Sequence, residues 1–165
     1  MANYGGDPGS PSNLPPPPQR PSAPASVLTA VKLMYAGAAL SIVSLLVGLT
    51  QKAAIRKAIA AANPKFTQSQ LNFGVNAALV FGAFVGLVGA GLWLWMAYAN
   101  NKGYAWARVL SSVFFGLNTL GLLYALFSAG STAIQKVGAV VTWLVGLAAI
   151  VFLWRSDSSA YFNAP

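Results

Sequence analysis

Four long apolar runs constrain this chain more than any other feature. The first, Leu33 to Leu49, reads LMYAGAALSIVSLLVGL and carries no charge. The helix that holds it is expected to begin earlier, so the four predicted spans are about 27–50, 73–99, 104–127 and 134–154. As a helix, each is long enough to cross a hydrocarbon layer of ~30 Å at about 1.5 Å per residue. Inside lipid a backbone must satisfy its own polar groups, and only a helix does so within one segment. The predicted fold class is therefore all-α: a four-helix transmembrane bundle, here with a disordered Pro-rich N-terminal tail. Composition agrees. Only 7% of the residues are charged and mean hydropathy is +0.61, whereas soluble domains carry roughly 25% charged residues.

The residue inventory excludes most chemistry. There is no Cys, no His and no Glu, and the only acids are Asp7 and Asp157, one near each end. Disulfides, thiolate chemistry and the commonest metal ligands are removed together. A paired-carboxylate mechanism would need two acids that lie in opposite tails. No catalytic, cofactor-binding or metal residue is assigned, no cofactor is expected, and the chain is read as non-enzymatic. No nucleic-acid partner is expected.

Residues 1–25 form a separate segment. They hold eight of the ten prolines, with Gly and Ser between them. Low hydrophobicity and dense Pro predict a disordered, partly polyproline tail. It has no basic stretch followed by an apolar one, so it does not read as a signal peptide. It is either a solvated tether or a ligand, through Pro15 to Pro18 and Arg20, for a cytoplasmic partner that grips polyproline. Ser26 is the expected N-cap of the first helix. The membrane domain runs 26–157, and 158–165 is expected to be a short tail.

Aromatic residues crowd the central turn, GLWLWMAYANNKGYAWARVL. Trp and Tyr combine an apolar body with one polar tip and favour the headgroup level. Trp93, Trp95 and Tyr98 close span two, Tyr104 and Trp106 open span three, and Trp154 marks the same interface after span four. These six are the predicted interface anchors. Asn100, Asn101, Lys102 and Gly103 are expected to turn the chain in water, with Arg108 reaching back outward. Orientation is not decided by charge. Arg20, Lys32, Lys102, Arg108 and Arg155 stand on one side, against Lys52, Arg56, Lys57, Lys65 and Lys136 on the other. The expectation is a multi-pass plasma-membrane protein with both termini cytoplasmic.

The first connection, within 51–72, is long and basic. Nothing but Gly48 breaks a helix between Ser44 and Ala62, so span one is expected to continue beyond the bilayer until Asn63-Pro64 stops it. Thr67 and Gln70 have capping-box spacing for helix two. The extension either rests on anionic headgroups or binds a partner or an acidic polymer.

Small residues recur every four positions along span two: Gly74, Ala78, Gly82, Gly86 and Ala90. Span four has Gly138, Thr142 and Gly146. Such ridges let helices approach closely, where van der Waals contact replaces the missing hydrophobic drive. The contact is within the bundle, with a second copy, or with a larger membrane complex. The intramembrane polar residues are few, chiefly Asn76 and Asn118, with Thr119, Thr142, Ser41 and Ser44. None ionises, which argues against proton-coupled carriage. Asn118 is expected to hydrogen-bond to a neighbouring helix.

Three stretches, SVLTAVKLMYAGAAL after the Pro-rich tail, GLVGAGLWLWMAYANNKGYAWARVLS at the central turn and LWRSDSSAYF at the end, resemble a group of uncharacterised actinobacterial four-span integral membrane proteins with a proline-rich N-terminal tail. The resemblance covers about residues 26–162. It implies four spans in the plasma membrane and brings no activity. The favoured reading is a non-enzymatic packing or interaction protein, whose partners are the lipid bilayer and a second copy or a larger complex. The alternative is a small oligomeric pore or carrier for a neutral solute, lined by Asn118, Thr142 and the serines.

Overall fold

A computed structural model describes residues 22–128 and 130–163. Most of the Pro-rich tail, including Pro15 to Pro18 and Arg20, lies outside them. Among the described residues there are six helices and no strand: α1 Ala25–Thr50, α2 Lys52–Ala62, α3 Gln68–Asn101, α4 Ala105–Phe127, α5 Ala133–Leu153 and α6 Ser156–Phe162. Four of these, α1, α3, α4 and α5, are long and apolar enough to span a membrane. The expected class is the observed one.

Local chemistry explains the helix ends. Thr67 caps α3 through a complete box, its hydroxyl accepting from Gln70 N–H while Gln70 Oε1 accepts from Thr67 N–H at 2.8 Å. Thr132 and Gln135 repeat the arrangement at the start of α5. These boxes satisfy amide donors that a helix otherwise leaves unpaired. At the far end of α3 the chain closes on itself: Gly103 N–H bonds to Asn100 O at 3.0 Å and Tyr104 N–H to Ala99 O at 3.3 Å. Gly103 has φ +72°. A left-handed residue at this place in a helix C-cap is the reason for a glycine there.

Two expectations about α1 are corrected. Pro24, not Ser26, occupies the N-cap position, and it supplies no side-chain cap. Ser26 sits inside the first turn, buried, with its hydroxyl 2.7 Å from that of Ser158. At the other end α1 does not run unbroken to Asn63. It stops at Thr50, where Gln51 N–H turns to Gly48 O at 3.0 Å and the Thr50 hydroxyl donates to Val47 O at 2.7 Å. A side chain that competes for helix carbonyls, two residues after a glycine, weakens the ladder at that point. The helix restarts as α2, which folds back along the beginning of α3 with Ile59 against Gly74.

The bundle is an open arc in the order α3, α1, α5, α4. α1 packs most extensively against α3, then against α5, and α4 packs chiefly on α5. α3 and α4 are consecutive in sequence, yet they touch much less. With 34 residues, α3 is about 51 Å long. That exceeds a bilayer core of ~30 Å, so α3 is longer than a single crossing requires.

Packing is concentrated at one end. Val27, Ala30, Val31 and Met34 of α1 meet Met96, Ala97 and Ala99 of α3, Ala107 of α4, and Ala149 and Leu153 of α5. The α1 positions recur at three and four residues, which puts them on one stripe. Small side chains dominate this end, so the backbones approach closely. Towards the α1–α3 connection the helices diverge, and large apolar side chains such as Phe73, Phe81, Tyr124 and Phe127 stand exposed. Lipid is the solvent for such a surface.

Candidate functional site

The diverging half of the bundle encloses a crevice of about 1050 Å³, lined by α1, α3, α4 and α5. Deeper, towards the packed end, lies a smaller cavity of about 410 Å³. Asn118 on α4 lines both. Its Oδ1 is buried and has no hydrogen-bond partner. The sequence led us to expect Asn118 to bond to a neighbouring helix. That bond belongs instead to Thr119, whose hydroxyl accepts from Trp143 Nε1 at 2.9 Å while donating to Phe115 O at 2.9 Å. One residue along a helix turns a side chain by about 100°, so Thr119 faces α5 and Asn118 faces the cavities.

The small residues of α3 divide between two surroundings. A Cβ on Gly86 would come within 2.8 Å of Leu45, and Ala90 is buried, so both belong to the α1 contact. A Cβ on Gly74 would meet Ile59 of α2 at 3.6 Å, an ordinary contact. Ala78 and Gly82 line the crevice, and a Cβ on Gly82 would have no neighbour within 4 Å. On α5, Gly146 is buried, and a Cβ added there would come within 3.1 Å of Phe115. Gly138 and Thr142 line the crevice, with the same open space at Gly138. Neither ridge is spent on a single partner helix. Asn76 lies exposed on α3.

The aromatic residues also divide. Trp95, Tyr98, Tyr104, Trp106 and Trp154 are exposed. Trp95 and Tyr104 both contact Trp106, at 5.8 and 5.9 Å between ring centroids. Trp93 is different. It points into the bundle, where its ring covers Gly37, and lines the smaller cavity. It is three and four residues from Met96 and Ala97 and follows the buried stripe.

Asn100 corrects the sequence reading of the turn. It lies in the last turn of α3 with 0% exposure. Its Nδ2 donates to Met96 O at 2.8 Å and to Ser111 Oγ at 2.9 Å, while its Oδ1 is unpartnered. The spacing 86, 90, 93, 97, 100 held the signal, because it continues the inward stripe of α3. Asn between Ala and Lys at a turn hid it.

The segment expected as a tail forms α6, which docks under the packed end. Phe162 and Ser158 are buried there. Tyr161 donates its hydroxyl to Asn101 O at 2.9 Å. Arg108 lies beneath it, donating to Ser159 Oγ at 2.9 Å, with its guanidinium 4.3 Å from the Trp154 ring centre. Asp157 opens α6. The Ser26 side chain is the main influence holding its carboxyl below the usual range. Partial desolvation opposes this, and the backbone amides of Ser158 and Asp157 and the charge of Arg155 reinforce it. Outside the opposite face, Arg56 of α2 donates to Asn72 and Gln68 of α3. The basic extension is thereby tied to the helix it folds against.

The fold defines a helical multi-pass membrane protein. No family model matches the chain, and neither a curated protein nor a solved structure matches it.

Proposed function

We propose that this chain is a non-enzymatic interaction protein of the plasma membrane, whose crevice seats a transmembrane helix of a second copy or of a larger complex. The observation that carries the reading is the open space at Gly48, Gly82, Gly121 and Gly138. All four line the crevice, and an added Cβ on any of them would touch nothing within 4 Å. Small residues facing one another across a wide groove suit close approach of a further helix. The start of α1 and the docked α6 share one end of the bundle, and we take that end as cytoplasmic, with the Pro-rich tail free to recruit a partner there. The resemblance to actinobacterial four-span proteins accords with this reading.

The absence of native Cys makes the test clean. Gly82→Cys and Gly138→Cys variants, treated in membranes with a short bis-maleimide, should give a discrete product of twice the chain mass or an adduct with one partner chain. Gly82→Leu, whose Cβ would meet nothing within 4 Å and whose longer side chain would enter the groove, should lower the yield. A lone monomer in both nanodiscs and mild detergent, with no crosslinked product, overturns the proposal. A second reading, a carrier for a neutral solute, is favoured by the unpartnered Asn118 oxygen. It predicts that Asn118→Leu abolishes flux while leaving assembly intact.

A further inference from the structure

The end of the bundle opposite α6 carries cations without acids. Lys52, Arg56 and Lys57 lie on α2, Lys65 follows it, and Lys136 sits near the start of α5. Asp157 is the only acid among the described residues, and it opens α6 at the packed end. The packed end treats its own cations differently. There Arg155 lies 3.9 Å from Asp157, and the Arg108 guanidinium stands over the Trp154 ring. At the α2 end Arg56 donates to Asn72 and Gln68 of α3, both neutral amides. These bonds pin α2 to α3 and leave the charge uncompensated. Lys52 lies four residues before Arg56, on the same side of the helix, where like charges repel. Lys52, Lys57 and Lys65 are exposed. Anions seated against them relieve that repulsion.

Depth points to the source of the anions. The exposed Trp and Tyr residues of the packed end mark one headgroup level. From there α5, with 21 residues, covers about 32 Å, close to the hydrocarbon thickness of ~30 Å. Its other end, with Lys136, therefore reaches the second headgroup level. So does Thr50, at the end of the 26-residue α1. Ile42 and Leu46 stand exposed on the last turns of α1 and do not line the crevice. Lys52 follows Leu46 by six residues, so a lipid-facing surface passes directly into a cationic one. Phe66 is exposed beside Lys65 and repeats the pairing of an apolar with a basic side chain. Phosphates of the bilayer itself lie at this level, ahead of any soluble acidic chain.

We propose that α2 and its flanks seat anionic phospholipid, with Lys52, Lys57 and Lys65 meeting headgroup phosphates and the acyl chains lying against Ile42 and Leu46. Arg56 is a positioning residue that holds α2 on α3. The site involves one copy of the chain and lies outside the crevice, so it does not depend on assembly.

The test uses the full chain in nanodiscs with spin-labelled phosphatidylglycerol or phosphatidylcholine as the probe, read as the motionally restricted lipid fraction by EPR. Phosphatidylglycerol should be preferred about 5-fold or more, the share of one lysine at an anionic surface. The preference should shrink as salt rises. Lys52→Gln, Lys57→Gln and Lys65→Gln together should bring the two lipids close to parity. Lys32→Gln with Lys102→Gln, a like change at the packed end, should leave most of the preference in place. Equal restriction of both lipids by the unmodified chain overturns the proposal. So does a preference that survives the triple change, or one that vanishes with the packed-end pair. Lysine-dependent capture of fluorescent polyglutamate in discs containing phosphatidylglycerol also overturns it, because it assigns the surface to a soluble acidic partner. The first comparison needs no variant, so a variant that misfolds does not blunt it. Crosslinking at Gly82 reads the assembly proposal separately.

Discussion

Gly37→Ala should be among the most damaging single-methyl additions in this protein. Gly37 is buried on α1, opposite Trp93 of α3. A Cβ there would fall 2.7 Å from two atoms of the Trp93 ring and 2.9 Å from a third. Ordinary carbon contacts lie near 3.5–4.0 Å, so a gap of about 1 Å must open. The ring cannot simply swing away. It also bounds the inner cavity and stands 3.6 Å from the Cβ direction of Gly146 on α5. Overpacking a tight contact costs about 1–3 kcal/mol, which is roughly a 5- to 150-fold fall in the folded-to-unfolded ratio. Because α1 holds both α3 and α5, the loss should appear as global destabilisation. The control is Gly82→Ala, where the new methyl meets nothing and the change should stay within about 0.5 kcal/mol. The assay is reversible unfolding in mixed micelles with increasing SDS, read by Trp fluorescence and by circular dichroism. Combining Gly37→Ala with Trp93→Leu completes a double-mutant cycle, and the coupling should recover about 1 kcal/mol or more. If Gly37→Ala and Gly82→Ala unfold at the same SDS fraction, the reasoning about this contact is wrong.

Thr119→Val removes the acceptor of Trp143 Nε1 and should cost about 0.6–2 kcal/mol, the range for interhelical hydrogen bonds in membranes, measured by the same SDS titration. Gly103→Ala places a side chain at φ +72° and within 2.9 Å of Tyr161. It should cost about 1–2 kcal/mol and raise protease sensitivity at 156–162, read by limited proteolysis. The pH dependence of α6 docking has a definite sign. The carboxyl of Asp157 is held below its ordinary value, so the associated stabilisation is fully present above about pH 4 and is lost as pH falls through the lowered value. Amide exchange over 156–162 as a function of pH reads this, and Ser26→Ala should weaken the effect by removing its main cause.

The membrane class and the number of spans were legible because hydrophobicity is local information. A run of twenty apolar residues must be a helix in lipid whatever its neighbours do. The Thr67 box was legible for the same reason, being an exchange of bonds within four residues. What the sequence could not carry was which face meets which helix. Without a hydrophobic drive inside the bilayer, every face of a span is equally apolar, and only steric fit selects partners. So the sequence marked Gly74, Ala78, Gly82, Gly86 and Ala90 as one ridge, whereas the tertiary structure assigns Gly86 and Ala90 to α1, Gly74 to α2, and Ala78 and Gly82 to the crevice. The polar residues follow the same rule. That Asn118 lies in the membrane was written in its flanking residues. That it stays unpartnered while Thr119 bonds to Trp143, and that Asn100 is buried rather than wet, depended on the rotation and divergence of whole helices, which no local stretch encodes.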